Sequence, residues 1–483
     1  MCAVDEKGWR IQQSEQHGSS KFDQTHPRAF ARFGIALADL SEKWFPDALV
    51  FALIAIIVVF VAGLILGSTA VELVTDFGDG FWQLVPFTLQ MAMVIVGGYV
   101  VAVSPPVARI IRRLSEVPKT PRGAVAFVAF FASVSALLSW GFSLVFSGLL
   151  VREITQRTRV DYRAAGAAAY LGAGSVWALG LSSSAALLMA TRESIPPVLF
   201  KLSGIIPLTS TIFTWQSMVT TVVLIAATIL VAYFSAPSDG HLRVAESFGT
   251  KIEQPAIELE KSRTPGEWLE YSGILTLLIC AIGFGYLARV FLTKGILAAL
   301  DLNTYNFLFI MLGMLLHWTP RAFIKAVTAS VPATAGVLIQ FPFYAGIFGL
   351  MTKSPISAEL SRFFVRVSTQ GTYPVMVSVY SMVLGFFVPS GGGKWLIEAP
   401  YVLEAANQLH VNLGWVVQIY NAAEALPNLI NPFWMLPVLG LLNVRARELV
   451  GYSVLQFIVH VPLVLFLLWL FARTLPYIPP ALL

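Results

Sequence analysis

The sequence predicts an all-α polytopic membrane protein: two inverted halves with two re-entrant helical hairpins and discontinuous helices. Three observations predict it. The 483 residues are 57% hydrophobic and only 12% charged, where soluble domains average about 45–50% apolar and 25% charged. Apolar runs recur along most of the chain, each near the roughly 20 residues that an α-helix needs to cross a hydrocarbon core of about 30 Å. Small-residue and proline breaks interrupt these runs in pairs. Backbone groups in lipid must be satisfied internally, so the runs are helices.

Taken in order, residues 1–43 are polar, with Lys7, Arg10, Lys21, Arg28, Arg32 and Lys43 and no short apolar core ahead of a small-residue cleavage site. They read as a cytoplasmic N-terminal tail. Apolar segments follow at 46–67, 84–104, 124–150, 164–190, 215–235, 268–292, 303–317, 330–350, 374–403, 412–442 and 450–472. The mixed-charge stretch 236–267 divides them as a cytoplasmic linker. The first membrane repeat is then 44–235, a connecting transmembrane helix occupies 268–295, and the second, inverted repeat is 296–483.

Charge sets the sides. Residues 68–81 hold Glu72, Asp76 and Asp79 without Lys or Arg, so they form an outside loop. The stretch with Arg109, Arg112, Arg113, Lys119 and Arg122 is inside, yet so is the one with Arg152, Arg157, Arg159 and Arg163. Both ends of the third segment are cytoplasmic, and its break at Ser139–Ser143 is the tip of a hairpin that dips in and returns. Such backbone is tolerated at depth only where protein or a cavity covers it.

The halves can be overlaid. At an offset of 250, Gln90 faces Gln340; at 251, Ser139-Trp140-Gly141 faces Ser390-Gly391-Gly392. Residues 389–394 are therefore the tip of a second hairpin, and an odd number of crossings between the tips inverts it. Residues 404–413, without Lys or Arg, suit an outside loop; Arg445 and Arg447 suit an inside one. Lys353, Arg362 and Arg366 fall outside, against the charge rule.

Inverted repeats with broken helices place substrate and ion sites near the midplane. The interruptions here are Ser139–Ser143 and 172–184 in the first half, and Ser390–Lys394 with Asn421 through Pro432 in the second. Glycine backbone can turn closely and aim N–H groups at an anion beside a helix N-terminus. Ser139, Trp140, Gly141, Ser143, Ser390, Gly391, Gly392 and Gly393 are thus substrate-site candidates, with Gln340 facing the centre. Small residues also simply let helices pack closely. Lys394 and Glu424 are costly at depth, about 2.5–3.5 kcal/mol for a lysine on insertion scales. Lys394 can offset a carboxylate and Glu424 can bind a proton or cation, or the two can form a structural pair. Ser182, Ser183, Asn421, Asn428 and Asn431 complete the ion-coupling candidates through their oxygens. Trp140, Phe341, Phe343 and Trp395 can wall a small apolar pocket, and Gln90 with Gln340 can equally bond helix to helix.

Other chemistries are not indicated. The net charge of +5 lies in short segments between apolar runs, which points to membrane orientation and not to nucleic acid. Cys2 and Cys280 lack metal-ligand spacing, and His17, His26, His241, His317, His410 and His460 are scattered. No metal is expected beyond sodium as a coupling ion.

Phe77-Gly78-Asp79-Gly80-Phe81-Trp82, Gln340-Phe341-Pro342-Phe343-Tyr344-Ala345-Gly346-Ile347 and Val388-Pro389-Ser390-Gly391-Gly392-Gly393 resemble signatures of the AtoE-type short-chain fatty acid transporter family, from about residue 30 to the C-terminus. The resemblance implies an inverted-repeat transporter of the ion transporter superfamily, with elevator-like movement and uptake of short-chain monocarboxylates such as acetoacetate or butyrate. It implies that the hairpin tips form two half-sites, and it leaves proton against sodium open. The expectation is a symporter in a bacterial inner membrane, with no cofactor and with a short-chain carboxylate, lipid and a second copy in a homodimer as partners. The alternatives are a carrier for another carboxylate such as a dicarboxylate, a membrane-embedded hydrolase or acyltransferase using Ser390 and Lys394, and a passive channel.

Overall fold

The computed structural model describes residues 48–237, 242–245, 264–388 and 390–480. The expected tail 1–43, most of the linker 236–267, and Pro389 lie outside the described residues. In chain order the helices are α1 (Ala48–Ile65), α2 (Ala70–Phe81), α3 (Val85–Ala102), α4 (Pro105–Leu114), α5 (Pro121–Leu138), α6 (Trp140–Thr155), α7 (Tyr162–Ser175), α8 (Ser184–Ala190), α9 (Pro197–Ser203) and α10 (Trp215–Ser235). The second half has α11 (Pro265–Tyr271), α12 (Gly273–Lys294), α13 (Ile296–Ala299), α14 (Leu302–His317), α15 (Pro320–Ser330), α16 (Ala335–Lys353), α17 (Ile356–Val367), α18 (Tyr373–Phe387), α19 (Gly391–Gln408), α20 (Leu413–Asn428), α21 (Leu436–Leu442) and α22 (Ala446–Ala472). No strand occurs among the described residues, and seven helical runs there are long and apolar enough to cross a membrane.

Local chemistry sets many of the starts. Thr120, Thr214 and Thr319 each accept a backbone N–H from the first turn of the helix they precede, and proline follows two of them. Asp161 caps α7 and Asp301 caps α14 in the same way. These groups satisfy donors that a helix leaves unpaired at its N-terminus.

Two expectations are corrected. Residues 68–81 are not a loop: Thr69 and Glu72 form a reciprocal capping box that starts α2. α4, α9, α15 and α17 were likewise not expected as helices, because each is at most 12 residues and most carry charges. In α4 and α17 the apolar residues line one face, Val107 and Ile111 or Ile356 and Phe364, while arginines occupy the other.

The helical hairpins are present. α5 packs along α6, and their outer ends meet where the Thr158 hydroxyl donates to the Pro118 carbonyl at 3.0 Å. α18 and α19 do the same, with the Gln370 amide donating to the His410 carbonyl at 2.7 Å. Helices in the two halves pack in matching ways. α3 and α16 begin 250 residues apart, at 85 and 335; α1 lies on α16 as α14 lies on α3, and α2 on α16 as α15 on α3.

Burial sorts the helices by depth. α7, α19 and α20 are sheathed by protein on nearly every side. α1, α10 and α12 expose large apolar side chains such as Ile57, Ile65, Phe234 and Ile282, the pattern of a surface that faces lipid. The charge anomaly at Lys353 also resolves: its ammonium lies 2.7 Å from Asp79 and 3.7 Å from Asp76. The lysine and the acidic stretch of α2 share one end of the molecule and neutralise each other.

Candidate functional site

Both hairpin tips and both interrupted helices converge on one cavity of about 40 Å³, room for a few water molecules. Trp140 and Leu144 enter it from the first hairpin, and Ser390, Gly391 and Gly392 from the second. Ala173, Trp177 and Ser184 come from the break between α7 and α8; Asn428 and Trp434 come from the break after α20. Met91, Val337 and Phe341 close the remaining side. Among the described residues no charged side chain lines it. A larger depression of about 410 Å³ lies at the outer ends of α5 and α6, around Lys119, Arg157 and Arg159; it is shallow, open to the surface and remote from both tips.

The breaks do not fall quite where the residue pattern suggested. α7 runs through Gly172–Ser175 and stops at Val176, and the chain resumes as α8 only at Ser184. α20 runs unbroken through Asn421, Glu424 and Pro427, because a proline in the last turn forfeits only one helical bond. Its interruption comes after Asn428.

In the first hairpin, only Trp140 of the four expected tip residues lines the cavity. Ser139 is buried and its Oγ accepts the Phe142 N–H. The Ser143 hydroxyl donates to the Ala132 carbonyl at 2.8 Å, tying the two arms together. Gly141 is ordinary helix. The Ser182 Oγ accepts the Trp140 N–H at 2.7 Å, so this candidate holds the tip to the broken helix. Tyr305 and the Ser182 amide occupy the tip carbonyls of Leu138 and Leu137.

In the second hairpin the glycines are required by their neighbours. A Cβ on Gly391 would lie 2.3 Å from the Trp177 ring, on Gly392 2.8 Å from Phe87, and on Gly393 2.5 Å from Tyr344. Ser390 caps α19 by accepting the Gly393 N–H. The N–H groups of Gly391 and Gly392 stand in the first turn, where a helix supplies no acceptor.

Lys394 does not face the cavity. Its ammonium is buried completely, 2.8 Å from Glu398 Oε1, 2.7 Å from Glu424 Oε2 and 2.8 Å from the Ser381 carbonyl, above the Tyr420 ring. With its donors thus committed, it is not free to offset a carboxylate at the tip. The Ser390 hydroxyl does not bond to the ammonium either, so among the described residues Ser390 and Lys394 form no side-chain pair. Glu398 is the residue that sequence reasoning missed; its place one helical turn after Lys394 is the signal that could have found it.

Ser183 and Asn421 do meet: the serine hydroxyl donates to Asn421 Oδ1 at 3.0 Å, and Asn421 continues to Gln418 and Ser217. Asn431 is buried near the second break. Gln340 is partly buried one residue before the lining Phe341 but does not itself line the cavity. Gln90 bonds Asn303 and Ser194, a helix-to-helix role. Of the expected aromatic wall, Trp140 and Phe341 line the cavity; Phe343 packs on Phe81, and Trp395 on Tyr420. Trp177 was not anticipated. Its indole N–H and the Asn428 amide oxygen are buried without a partner among the described residues.

A lipid-facing helical shell around a central cavity, reached by paired hairpins and broken helices, is the form of a multi-pass membrane transporter. The comparisons name the family. The family profile described as "Short chain fatty acid transporter" matches residues 29–471, and the chain belongs to that family. A relative from Escherichia coli (strain K12), provisionally named a short-chain fatty acid transporter, is 38% identical over 422 residues, 86% of this chain and 93% of its own. One of the same name from Haemophilus influenzae is 33% identical, over 87% of this chain and 95% of its own. In fold, the chain is similar to the Alcanivorax borkumensis YdaH transporter, described as having an unusual topology (TM-score 0.59, 15% identity, 90% of this chain and 100% of that one). It is also similar to Neisseria gonorrhoeae MtrF, one of a class of antimetabolite efflux pumps (TM-score 0.55, 13% identity, 90% and 97%). The relatives are transporters and not enzymes.

Proposed function

We propose that this protein is a secondary active symporter that takes up short-chain monocarboxylates, such as acetoacetate or butyrate, across a bacterial inner membrane with an ion gradient as its energy source. The observation that carries the reading is the convergence of both hairpin tips and both interrupted helices on one small cavity whose described lining is uncharged. The apolar walls Trp140, Phe341 and Trp434 suit a short alkyl chain. The Trp177 indole N–H and the first-turn N–H groups of Gly391 and Gly392 suit its carboxyl group. One carboxyl group is all these donors can serve, which favours monocarboxylates over dicarboxylates.

The halves act as inverted repeats in this reading, supported by the matching packing of α1 on α16 and α14 on α3. A cavity of about 40 Å³ is smaller than the substrate, so movement of a hairpin must enlarge it. A coupling cation follows from the energetics, because one uncompensated charge crossing 100 mV is worth about 2.3 kcal/mol. The test is uptake of labelled butyrate and acetoacetate by purified protein in liposomes, under a proton gradient and a sodium gradient applied separately. Accumulation above equilibrium under one gradient is expected; equilibration alone would make the protein a passive pathway.

A further inference from the structure

We propose that Glu424, held against Lys394 and Glu398 between the second hairpin and α20, is the proton-binding site that couples transport to the proton gradient. The inference rests on the symport reading and names its ion. Lys394, Glu398 and Glu424 have fully buried side chains, at most 1% exposed. With both carboxyls ionised the cluster carries one net negative charge, and a buried charge without a partner is strongly disfavoured. One added proton makes the cluster neutral.

Geometry selects the carboxyl that takes it. Glu398 receives the Lys394 ammonium on one oxygen and the Ser381 hydroxyl on the other. Glu424 receives only the ammonium, 2.7 Å from Oε2, and its Oε1 has no partner among the described residues. Its ionised form is the less stabilised of the two, so the O–H bond forms there.

Among the described residues the surroundings supply no competing charge. From α18 the group meets Ser381, from α19 Lys394 and Glu398, and from its own helix Tyr420. Tyr380 and Tyr401 bond to each other nearby. α7 brings Tyr170, bonded to the Asn428 carbonyl, and α22 brings His460, bonded to Thr228 and Gln456. α8 and the Trp177–Leu179 turn bring no titratable side chain. Glu424 and Asn428 share a face of α20, one turn apart, and Asn428 lines the cavity. The proton site and Asn428, one of the residues lining the cavity, therefore sit on one helix.

Glu424→Gln gives the cluster the charge of its protonated state permanently. In proteoliposomes the variant is expected to keep butyrate counterflow, which needs no net proton movement, and to lose proton-driven accumulation. Retained proton-driven accumulation in Glu424→Gln, or accumulation by the unaltered protein driven by sodium and indifferent to protons, overturns the proposal. Infrared titration of the unaltered protein gives a second reading that needs no viable variant for transport. A buried protonated-carboxyl band that titrates is expected, lost in Glu424→Gln; a band that survives there and is lost in Glu398→Gln moves the proton to Glu398 and sinks the assignment. Absence of butyrate counterflow in the unaltered protein would fault the substrate reading, while the infrared band still decides the proton site.

Discussion

The two hairpins share a plan and differ in what fastens them. In the first, α5 and α6 are joined at Ser139 and tied by hydroxyls and amides: Ser143 to the Ala132 carbonyl, Ser182 to the Trp140 amide, Tyr305 to the Leu138 carbonyl. In the second, α18 and α19 share neutral bonds as well, Tyr373 to the Val402 carbonyl and Tyr380 to Tyr401, but are also tied by the Lys394 ammonium, which reaches from α19 to Ser381 on α18 and to Glu424 on α20. A neutral tie keeps the same strength in every protonation state. An ionic tie can be loosened by one proton, so the charged hairpin is the one suited to report the gradient and the neutral one is suited to stay still.

The harshest way to break that contrast is to remove the tie. Lys394→Ala leaves Glu398 and Glu424 buried with no cation, and loss of one partner from a buried ion pair costs about 3–5 kcal/mol. A large fall in the thermal unfolding midpoint of the purified protein is expected, together with loss of uptake. An unfolding midpoint close to that of the unaltered protein would mean that the cluster is more hydrated than its burial implies.

A smaller effect is expected at the tip. Gly391→Ala places a methyl group 2.3 Å from the Trp177 ring, and overpacking of this kind typically costs about 1–3 kcal/mol. Because Trp177 carries one of the unpartnered cavity donors, the displacement should weaken butyrate uptake more than it lowers the unfolding midpoint. Initial uptake rates set beside thermal unfolding check this.

Much of the fold was legible because lipid imposes one rule on every spanning segment. The run expected at 215–235 is α10 without a residue of error, and the Ser139 and Ser390 breaks both mark hairpin tips. The short helices α2, α4, α15 and α17 were hidden because charges on one face lower the average that reveals a membrane span. The site was legible only by place. Ser390, Gly391 and Gly392 line the cavity, but Ser139, Ser143, Ser182 and Ser183 spend their oxygens on the framework. A hydroxyl's partner across the bundle is a tertiary fact that spacing along the chain does not encode. The pairing of Lys394 with Glu424 was one of two readings open to the sequence, and the third member was missed: Glu398 sits in an apolar run whose mean hides a single carboxylate.

The mildest substitution sharpens the contrast between the hairpins most directly. Gly141 and Gly392 occupy equivalent places, two residues after Ser139 and Ser390, but a Cβ on Gly141 would meet nothing nearer than Ile95 at 3.8 Å, whereas one on Gly392 would meet Phe87 at 2.8 Å. Gly141→Ala should leave uptake unchanged and raise stability by up to about 1 kcal/mol, since alanine loses less backbone freedom than glycine on entering a helix. If instead Gly141→Ala abolishes uptake with its unfolding midpoint intact, the first tip must close against something in another state of the transport cycle. The neutral hairpin would then be a moving part as much as the charged one.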